Sequence, residues 1–166
     1  MAIVTPESEA EAKVIEAMLS DAIVPCGTCH ACCHSPVAVS PEAGDDPSLY
    51  KLAISVDRTA PNQHAMVTLD RKPDGSCYAL RNGRCTIWDK RPRVCRNFDC
   101  RKMFVLHTKA ERRELVAKGY FKRAVIDAGK ARAGTLENGE DLKRLAARIN
   151  FGQRAIAFME HKRGVK

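Results

Sequence analysis

Eight cysteines, all between residues 26 and 100, constrain this chain more than any other feature. Such a set forms either disulfides or metal sites, and the redox compartment separates the two. The N-terminal segment MAIVTPESEAEAK has neither the basic nor the apolar region of a secretory signal, and the chain has no apolar stretch of the ~20 residues that span a membrane. We therefore expect a cytoplasmic protein without membrane association, in which the cysteines stay reduced and bind metal.

The first group of cysteines is the segment CGTCHACC, which begins at Cys26 and ends at Cys33. Thiolates three residues apart can be presented by one turn to the same metal, and thiolates favour zinc, copper(I) and iron–sulfur clusters. The portion CGTCH also matches the haem c attachment pattern, but this interpretation leaves six cysteines unexplained and expects export. Cys32 and Cys33 are adjacent, so their side chains tend to diverge and could serve different metals.

The second group contains the remaining four cysteines, and two of them flank a hairpin signal. Asn82 and Gly83 suit a tight turn because both tolerate positive φ, so residues 77–80 and 84–88 are predicted strands that bring Cys77 and Cys85 face to face. Neither group readily makes two complete sites alone, so we expect the groups to meet in space. A buried thiol is the alternative for some of the cysteines. The predicted metal ligands are Cys26, Cys29, Cys32, Cys33, Cys77, Cys85, Cys95 and Cys100.

Three histidines lie near the cysteines in the sequence. Imidazole binds zinc and iron, but eight thiolates are close by. We therefore expect His30, His34 and His64 to be exposed or to lie beside the ligands. A ligand role for His30 or His34 is the alternative.

Three arginines surround Cys95 in the segment RPRVCR. Pro92 fixes the backbone just before this cysteine, which helps to preorganise a ligand. Cationic neighbours lower the pKa of a thiol and favour metal binding, so Arg91, Arg93 and Arg96 are candidates to balance thiolate charge. The alternative is an exposed basic loop.

The predicted secondary structure has few strands and many helices. A helix is predicted over residues 6–20, because Thr5 can act as its N-cap and Pro6 suits its first position. Further predictions are a strand that starts at Val37 or Val39, a turn at 41–47, a strand at 64–70 and a helical segment at 101–118. A final helix begins at Asn138 as N-cap, and its apolar residues recur at steps of three and four, which predicts one buried face. These residues are Leu142, Leu145, Ile149, Gly152, Ile156 and Met159.

Basic charge is concentrated in the C-terminal part of the chain. Residues 1–100 contain 11 Lys/Arg and 13 Asp/Glu, whereas residues 101–166 contain 17 Lys/Arg and 7 Asp/Glu. We predict a single domain, 1–166, with a cysteine-cluster region at 22–104 and a basic helical region at 105–166. The predicted fold class is a small, α-rich α+β fold, in which a cysteine-ligated metal or cluster knot with a short hairpin packs with C-terminal helices.

The cysteine pattern resembles that of the YkgJ-type cysteine-cluster family, a CxxCxxCC zinc- or iron-chelating domain. The resemblance covers residues 26–100 and rests on CGTCHACC and on CYALRNGRCTIWDKRPRVCRNFDC, which runs from Cys77 to Cys100. Trp88 stands where tyrosine is usual, and His30 stands where glycine is expected. The resemblance implies an iron–sulfur oxidoreductase, and a relative, the flagellin lysine N-methylase, implies protein modification as another use.

Two hypotheses of function follow. The first is an iron–sulfur protein, with one [4Fe–4S] cluster and a second metal site, that transfers electrons or supports the modification of a protein. The second is a zinc-stabilised module whose basic helices dock an anionic partner, either a protein or, with weaker support, a nucleic acid. No Gly-rich nucleotide loop or HExxH motif identifies a catalytic site, so enzymatic activity stays open. The candidate docking residues are Arg112, Arg113, Lys118, Lys122 and Arg123.

Overall fold

The computed structural model describes residues 8–19, 24, 26, 29–34, 39–56 and 65–162. These residues fold into seven α-helices and two small antiparallel sheets, which confirms the predicted α-rich α+β class. The helices are α1 Glu9–Leu19, α2 Arg93–Asn97, α3 Cys100–Leu106, α4 Lys109–Ala117, α5 Arg123–Arg132, α6 Gly139–Arg148 and α7 Phe151–Lys162. The strands are β1 Leu52–Val56, β2 Ala65–Leu69, β3 Leu80–Arg81 and β4 Arg84–Cys85.

Helix α3 is the centre of the helical part and packs against both α5 and α6. Its Met103 belongs to one buried apolar cluster, with residues of α4 and α7, and its Leu106 belongs to another, with residues of α1 and α6. The two clusters therefore join the C-terminal helices to the segment that follows the last cysteine, as the sequence predicts. Their other buried members are Leu115, Tyr120 and Ile156 in the first cluster, and Val14 and Ala146 in the second.

The strand predicted at 64–70 is confirmed as β2, although His64 lies outside the described residues. Its antiparallel partner β1, which the sequence did not indicate, pairs Leu52 with Leu69. The Val39 carbonyl accepts a 2.8 Å hydrogen bond from the Leu69 amide, but Val39 belongs to no strand, so the predicted strand is wrong at this residue. Val37, the other predicted start of that strand, lies outside the described residues. The predicted turn at 41–47 is confirmed, with Gly44 at φ 95°.

The predicted hairpin is confirmed, but its strands are shorter than expected. Asn82 and Gly83 adopt φ values of 46° and 68°, and they connect β3 to β4. Cys77 lies outside β3 because its backbone forms an isolated bridge with Arg71 instead. On the other side, the chain leaves the sheet after Cys85 and enters a 3-10 turn at Trp88–Lys90.

The helical segment predicted at 101–118 is two helices, separated at His107 and Thr108. Thr108 Oγ1 accepts a 3.3 Å hydrogen bond from the Glu111 amide, and the Glu111 carboxylate accepts a 2.7 Å hydrogen bond from the Thr108 amide. This capping box starts α4 afresh, because it satisfies amides that a continuous helix would bond internally. The N-terminal helix predicted at 6–20 is observed as α1, whereas Thr5 and Pro6 lie outside the described residues.

The predicted final helix is also two helices, α6 and α7. Asn150 separates them, since its left-handed φ of 49° cannot continue an α-helix. Asn138 precedes α6 but its side chain makes no capping hydrogen bond, because the residue is left-handed (φ 57°) whereas a capping residue is usually extended. The apolar residues still face the core from both helices, and Gly152 and Ile156 are buried. None of the described helices is both long and apolar enough to cross a membrane.

Candidate metal centre

The first cysteine group is built from tight turns. The Cys29 amide donates a 2.7 Å hydrogen bond to the Cys26 carbonyl, which folds this part of the motif back on itself. Residues Cys32–His34 then form a 3-10 turn. Cys32 is exposed, whereas the other three cysteines of the group are half-buried. Short turns of this kind place several thiols close together, as the CxxCxxCC spacing predicts.

The second group is held by several elements. Cys77 pairs with Arg71 in the isolated bridge, Cys85 ends β4, Cys95 lies in α2 and Cys100 begins α3. The Cys77 amide donates a 2.9 Å hydrogen bond to the Cys33 carbonyl, so the backbone itself connects the two groups. This contact confirms the expectation that the groups meet in space.

Four thiols from both groups line one small cavity of about 30 Å³. Cys26, Cys29 and Cys32 approach it from the CxxCxxC segment, and Cys100 approaches it from the first turn of α3. The rest of the wall is almost entirely apolar and consists of Val24, Ala31, Phe98, Val125, Ala128 and the side chain of Arg132. An apolar wall of this kind excludes water from a metal–thiolate centre and thereby tunes its chemistry.

Helix α5 closes one side of this cavity, which the sequence did not indicate. Gly129 faces the start of α3 so closely that an added Cβ would lie 2.8 Å from the carbonyl carbon of Cys100 and 3.2 Å from the Cβ of Phe104. Arg132, one turn further along α5, lies 3.5 Å from the Cys26 carbonyl and donates a hydrogen bond to it. The only available signal was an isolated glycine within a helical pattern, which often marks close packing.

All eight cysteines are free thiols in the structure. Burial, followed by the charge of Asp99 and of nearby thiolates, raises the pKa of Cys100 to about 11. Burial likewise raises the pKa of Cys26 and Cys85, and raises that of Cys95 to about 12. The buried thiols therefore hold their protons at neutral pH until a cation compensates their charge, since metal binding releases these protons.

The Cys32 and Cys33 thiols interact with each other in the metal-free chain, so their assignment to different metals stays a prediction. The Cys33 thiol donates a hydrogen bond to the Cys32 sulfur, which lowers the pKa of Cys32 and raises that of Cys33. No three Cys, His, Asp or Glu side chains among the described residues are already arranged to hold a metal ion. The donor set fits zinc or iron by its chemistry, but some thiols must rotate to bind it.

Arg91 is the arginine most closely associated with the thiols. Its guanidinium lies 3.6 Å from the centre of the Trp88 ring, and its Nε donates a 2.8 Å hydrogen bond to the Trp88 carbonyl. After the larger effects of burial, its charge lowers the pKa values of Cys26, Cys85 and Cys95. The predicted charge-balancing role is therefore supported for Arg91, and Arg132 adds a second cation beside Cys26.

The other two arginines of the RPRVCR segment contact Asp45. The Asp45 carboxylate accepts hydrogen bonds of 3.0 and 3.1 Å from the Arg93 amide, and it lies 3.9 Å from the Arg96 guanidinium. It therefore fixes the start of α2, and with it Cys95, from 48 residues away. This long-range cap was not predicted.

Two of the three histidines predicted near the site lie among the described residues. His30 packs against the hairpin turn, where its Nε2 would lie 3.2 Å from a Cβ added to Gly83. His34 is exposed, and His64 lies outside the described residues. The exposure of His34 agrees with the expectation of a histidine that is exposed or lies beside the ligands, and the ligand role of His30 or His34 stays a prediction.

A family model, "CxxCxxCC: Putative zinc- or iron-chelating domain", matches residues 25–118, more than half of the chain. The chain belongs to this CxxCxxCC family. The match supports zinc or iron as the metal, as predicted. No curated protein and no solved structure gives a significant match. The matched residues of the CxxCxxCC domain end before α5, so Val125, Ala128 and Arg132 complete the cavity from outside the matched segment.

Proposed function

We propose that the eight cysteines ligate iron in an iron–sulfur cluster and a second metal site, and that the protein transfers electrons or supports the modification of a protein in a reducing, cytoplasmic setting. The observation that carries this proposal is the cavity lined by Cys26, Cys29, Cys32 and Cys100. Three cysteines spaced C-x2-C-x2-C, together with a remote fourth, are a common ligand set for [4Fe–4S] clusters. A bound cluster would supply one-electron chemistry.

The chain itself contributes the surroundings of such a cluster. The apolar wall limits solvent access, and Arg91 and Arg132 place positive charge beside the thiolates. The positive charge would raise a cluster's reduction potential, whereas the exclusion of water would lower it, because the reduced cluster carries more negative charge. The exposed Cys32 is the point where the centre comes nearest to the surface, so a redox partner would approach there.

The test is metal and sulfide analysis of the protein purified without oxygen. We expect iron, acid-labile sulfide and broad visible absorption in the wild type, and loss of all three in Cys100→Ser. A matched control is Arg84→Gln, which changes an exposed hairpin residue next to Cys85 and should keep the cluster. Stoichiometric zinc with no sulfide would contradict the proposal.

A zinc-stabilised docking module is the second candidate. Its support is that eight thiolates could close two tetrahedral sites and leave no open position, as in structural zinc sites. The basic helices would then bind an acidic protein partner. Several of the candidate docking residues have partners within the chain, since Lys118 pairs with Glu114 and Glu160, and Arg123 pairs with Asp127 at 3.2 Å. Arg112 lies over Phe104 and donates to backbone carbonyls.

These internal partners reduce the positive charge that a ligand would meet. Arg113 and Lys122 are both exposed and are the residues to change. Titration of fluorescent oligonucleotides and of an acidic peptide at low and physiological salt separates the alternatives, because binding to phosphates weakens steeply with salt. Binding of the peptide by zinc-loaded protein, lost in Arg113→Gln with Lys122→Gln, would favour the module.

A further inference from the structure

We propose that the β3–β4 hairpin and the tryptophan that follows it form a docking surface for an acidic protein. This hairpin surface consists of Arg81, Arg84, Trp88 and Arg91. It goes beyond the proposed function, because it would recognise the partner whichever metal the cysteines bind.

Arg81 and Arg84 are two positive charges held directly opposite each other. They are cross-strand partners on either side of the turn at Asn82 and Gly83, so their Cβ atoms lie on one face of the hairpin, about 4.5–5.5 Å apart. Both are exposed, and neither side chain has an ion-pair or hydrogen-bond partner among the described residues. Like charges opposed in this way destabilise a strand pair. A carboxylate between the two guanidinium groups would remove the repulsion, because each group can donate two parallel hydrogen bonds to it.

Trp88 is a large aromatic side chain that the fold leaves 43% exposed. The Arg91 guanidinium covers part of its ring, 3.6 Å from the ring centre, and Arg91 Nε donates a 2.8 Å hydrogen bond to the Trp88 carbonyl. Arg91 is itself anchored, since its carbonyl accepts a 3.0 Å hydrogen bond from the Arg96 guanidinium. The ring therefore loses little rotational freedom when a partner covers it. Tryptophan and arginine are also the side chains that most often dominate the binding energy of protein interfaces.

The arginine pair and Trp88 are close enough for one partner to cover both. Trp88 follows Arg84 by four residues, so their Cα atoms are at most about 14 Å apart. An interface of standard size buries about 800 Å² on each partner, which is wide enough to span this distance. Successive residues of a strand face opposite sides, so Cys85 lies on the other face of the hairpin, opposite the buried Leu80. A partner bound to the arginines is therefore separated from a predicted metal ligand by one strand pair.

The distribution of charge indicates that the partner is acidic. Residues 81–96 contain six Lys/Arg and one Asp, whereas the rest of residues 1–100 contains five Lys/Arg and twelve Asp/Glu. Positive charge in the cysteine-bearing part of the chain is thus concentrated at the hairpin surface and just after it. A protein fits better than a nucleic acid, because the exposed Asp89 next to Trp88 would repel a phosphate backbone. A protein surface can offer carboxylates to the arginines and a cation or an amide to Asp89.

The test uses Trp88 as the reporter, since it is the only tryptophan of the chain. The full chain, purified without oxygen and with its metal bound, is titrated at low and physiological salt with a short peptide of alternating glutamate and leucine. We expect a saturable change in Trp88 fluorescence, and none with the same peptide carrying glutamine in place of glutamate. The absence of a saturable change at low salt would overturn the inference.

Two double variants locate the binding, read by the anisotropy of the fluorescein-labelled peptide. Arg81→Gln with Arg84→Gln should weaken the binding about tenfold, through the loss of two exposed ion pairs. The matched control, Arg113→Gln with Lys122→Gln, removes the same charge from exposed positions of the helical part and should leave the affinity unchanged. Equal weakening in both variants, or weakening in the control alone, would overturn the inference. Tighter binding of a single-stranded oligonucleotide than of the peptide at physiological salt would overturn the choice of a protein partner.

Metal analysis of the same samples separates this inference from the proposed function. The Arg81→Gln, Arg84→Gln variant should keep the metal content of the wild type, because both side chains are exposed to solvent. A protein that binds the peptide but carries zinc without sulfide keeps the docking surface and loses the iron–sulfur function. A protein that carries iron and sulfide but does not bind the peptide keeps that function and loses the docking surface.

Discussion

Replacing Gly129 with alanine tests whether α5 positions a metal ligand. An added Cβ would lie 2.8 Å from the carbonyl carbon of Cys100 and closer still to its oxygen, whereas ordinary contacts begin at 3.4 Å. Helix α5 and the start of α3 must therefore separate by roughly 1 Å, which costs about 1–3 kcal/mol in a packed interior. Alanine recovers about 0.5–1 kcal/mol through its better helix propensity. The expected net loss of stability is about 1–2 kcal/mol.

The assay combines thermal unfolding with Co²⁺ titration of the same protein. For a chain of this size each kcal/mol lowers the melting temperature by about 2–4 °C. Metal affinity should also fall, since the shift separates Cys100 from the rest of the cavity. Gly134→Ala is the matched control, because an added Cβ there meets nothing within 4 Å. If Gly129→Ala melted and bound metal as the control does, the positioning role of α5 would be refuted.

Three further predictions concern the site's support, pH and metal removal. Asp45→Ala removes the cap of α2 and should cost about 1 kcal/mol and weaken metal binding, whereas Glu42→Ala, an exposed neighbour, should do neither. Burial lowers the pKa of His107 in the folded chain. Below the pKa of about 6.5 that the histidine has in the unfolded chain, the unfolded state therefore binds a proton that the folded state does not, and acid destabilises the fold. The urea midpoint should fall between pH 7 and pH 5, and it should fall by a smaller amount in His107→Gln. Chelation or oxidation should increase amide hydrogen exchange across residues 26–100 more than in α4 and α7, because metal binding and folding are coupled in small metal domains. An equal increase in all of these segments would refute this prediction.

The sequence predicted the parts of the site that depend on local spacing. The tight turns of CGTCHACC and the hairpin at Asn82 and Gly83 follow from residues next to each other, and both are present in the structure. The break before α4 could also be predicted from the sequence, since Thr108 and Glu111 have the spacing of a capping box. The break at Asn150 could not be predicted in this way, because the apolar spacing continues across it.

Long-range contacts account for what the sequence did not reveal. Asp45 contacts α2 across 48 residues, and Gly129 meets Cys100 only because α5 packs on α3. Net charge likewise said little about binding, since it cannot show that Lys118 is paired with Glu114 and Glu160.

Metal K-edge X-ray absorption on the protein purified without oxygen tests the central claim, ligation by cysteine, most directly. The account predicts a first shell of sulfur alone, at about 2.3 Å, whether the metal is iron or zinc. Arg84→Gln should give the same spectrum as the wild type. A first shell of nitrogen or oxygen, or protein that binds neither metal, would contradict the account.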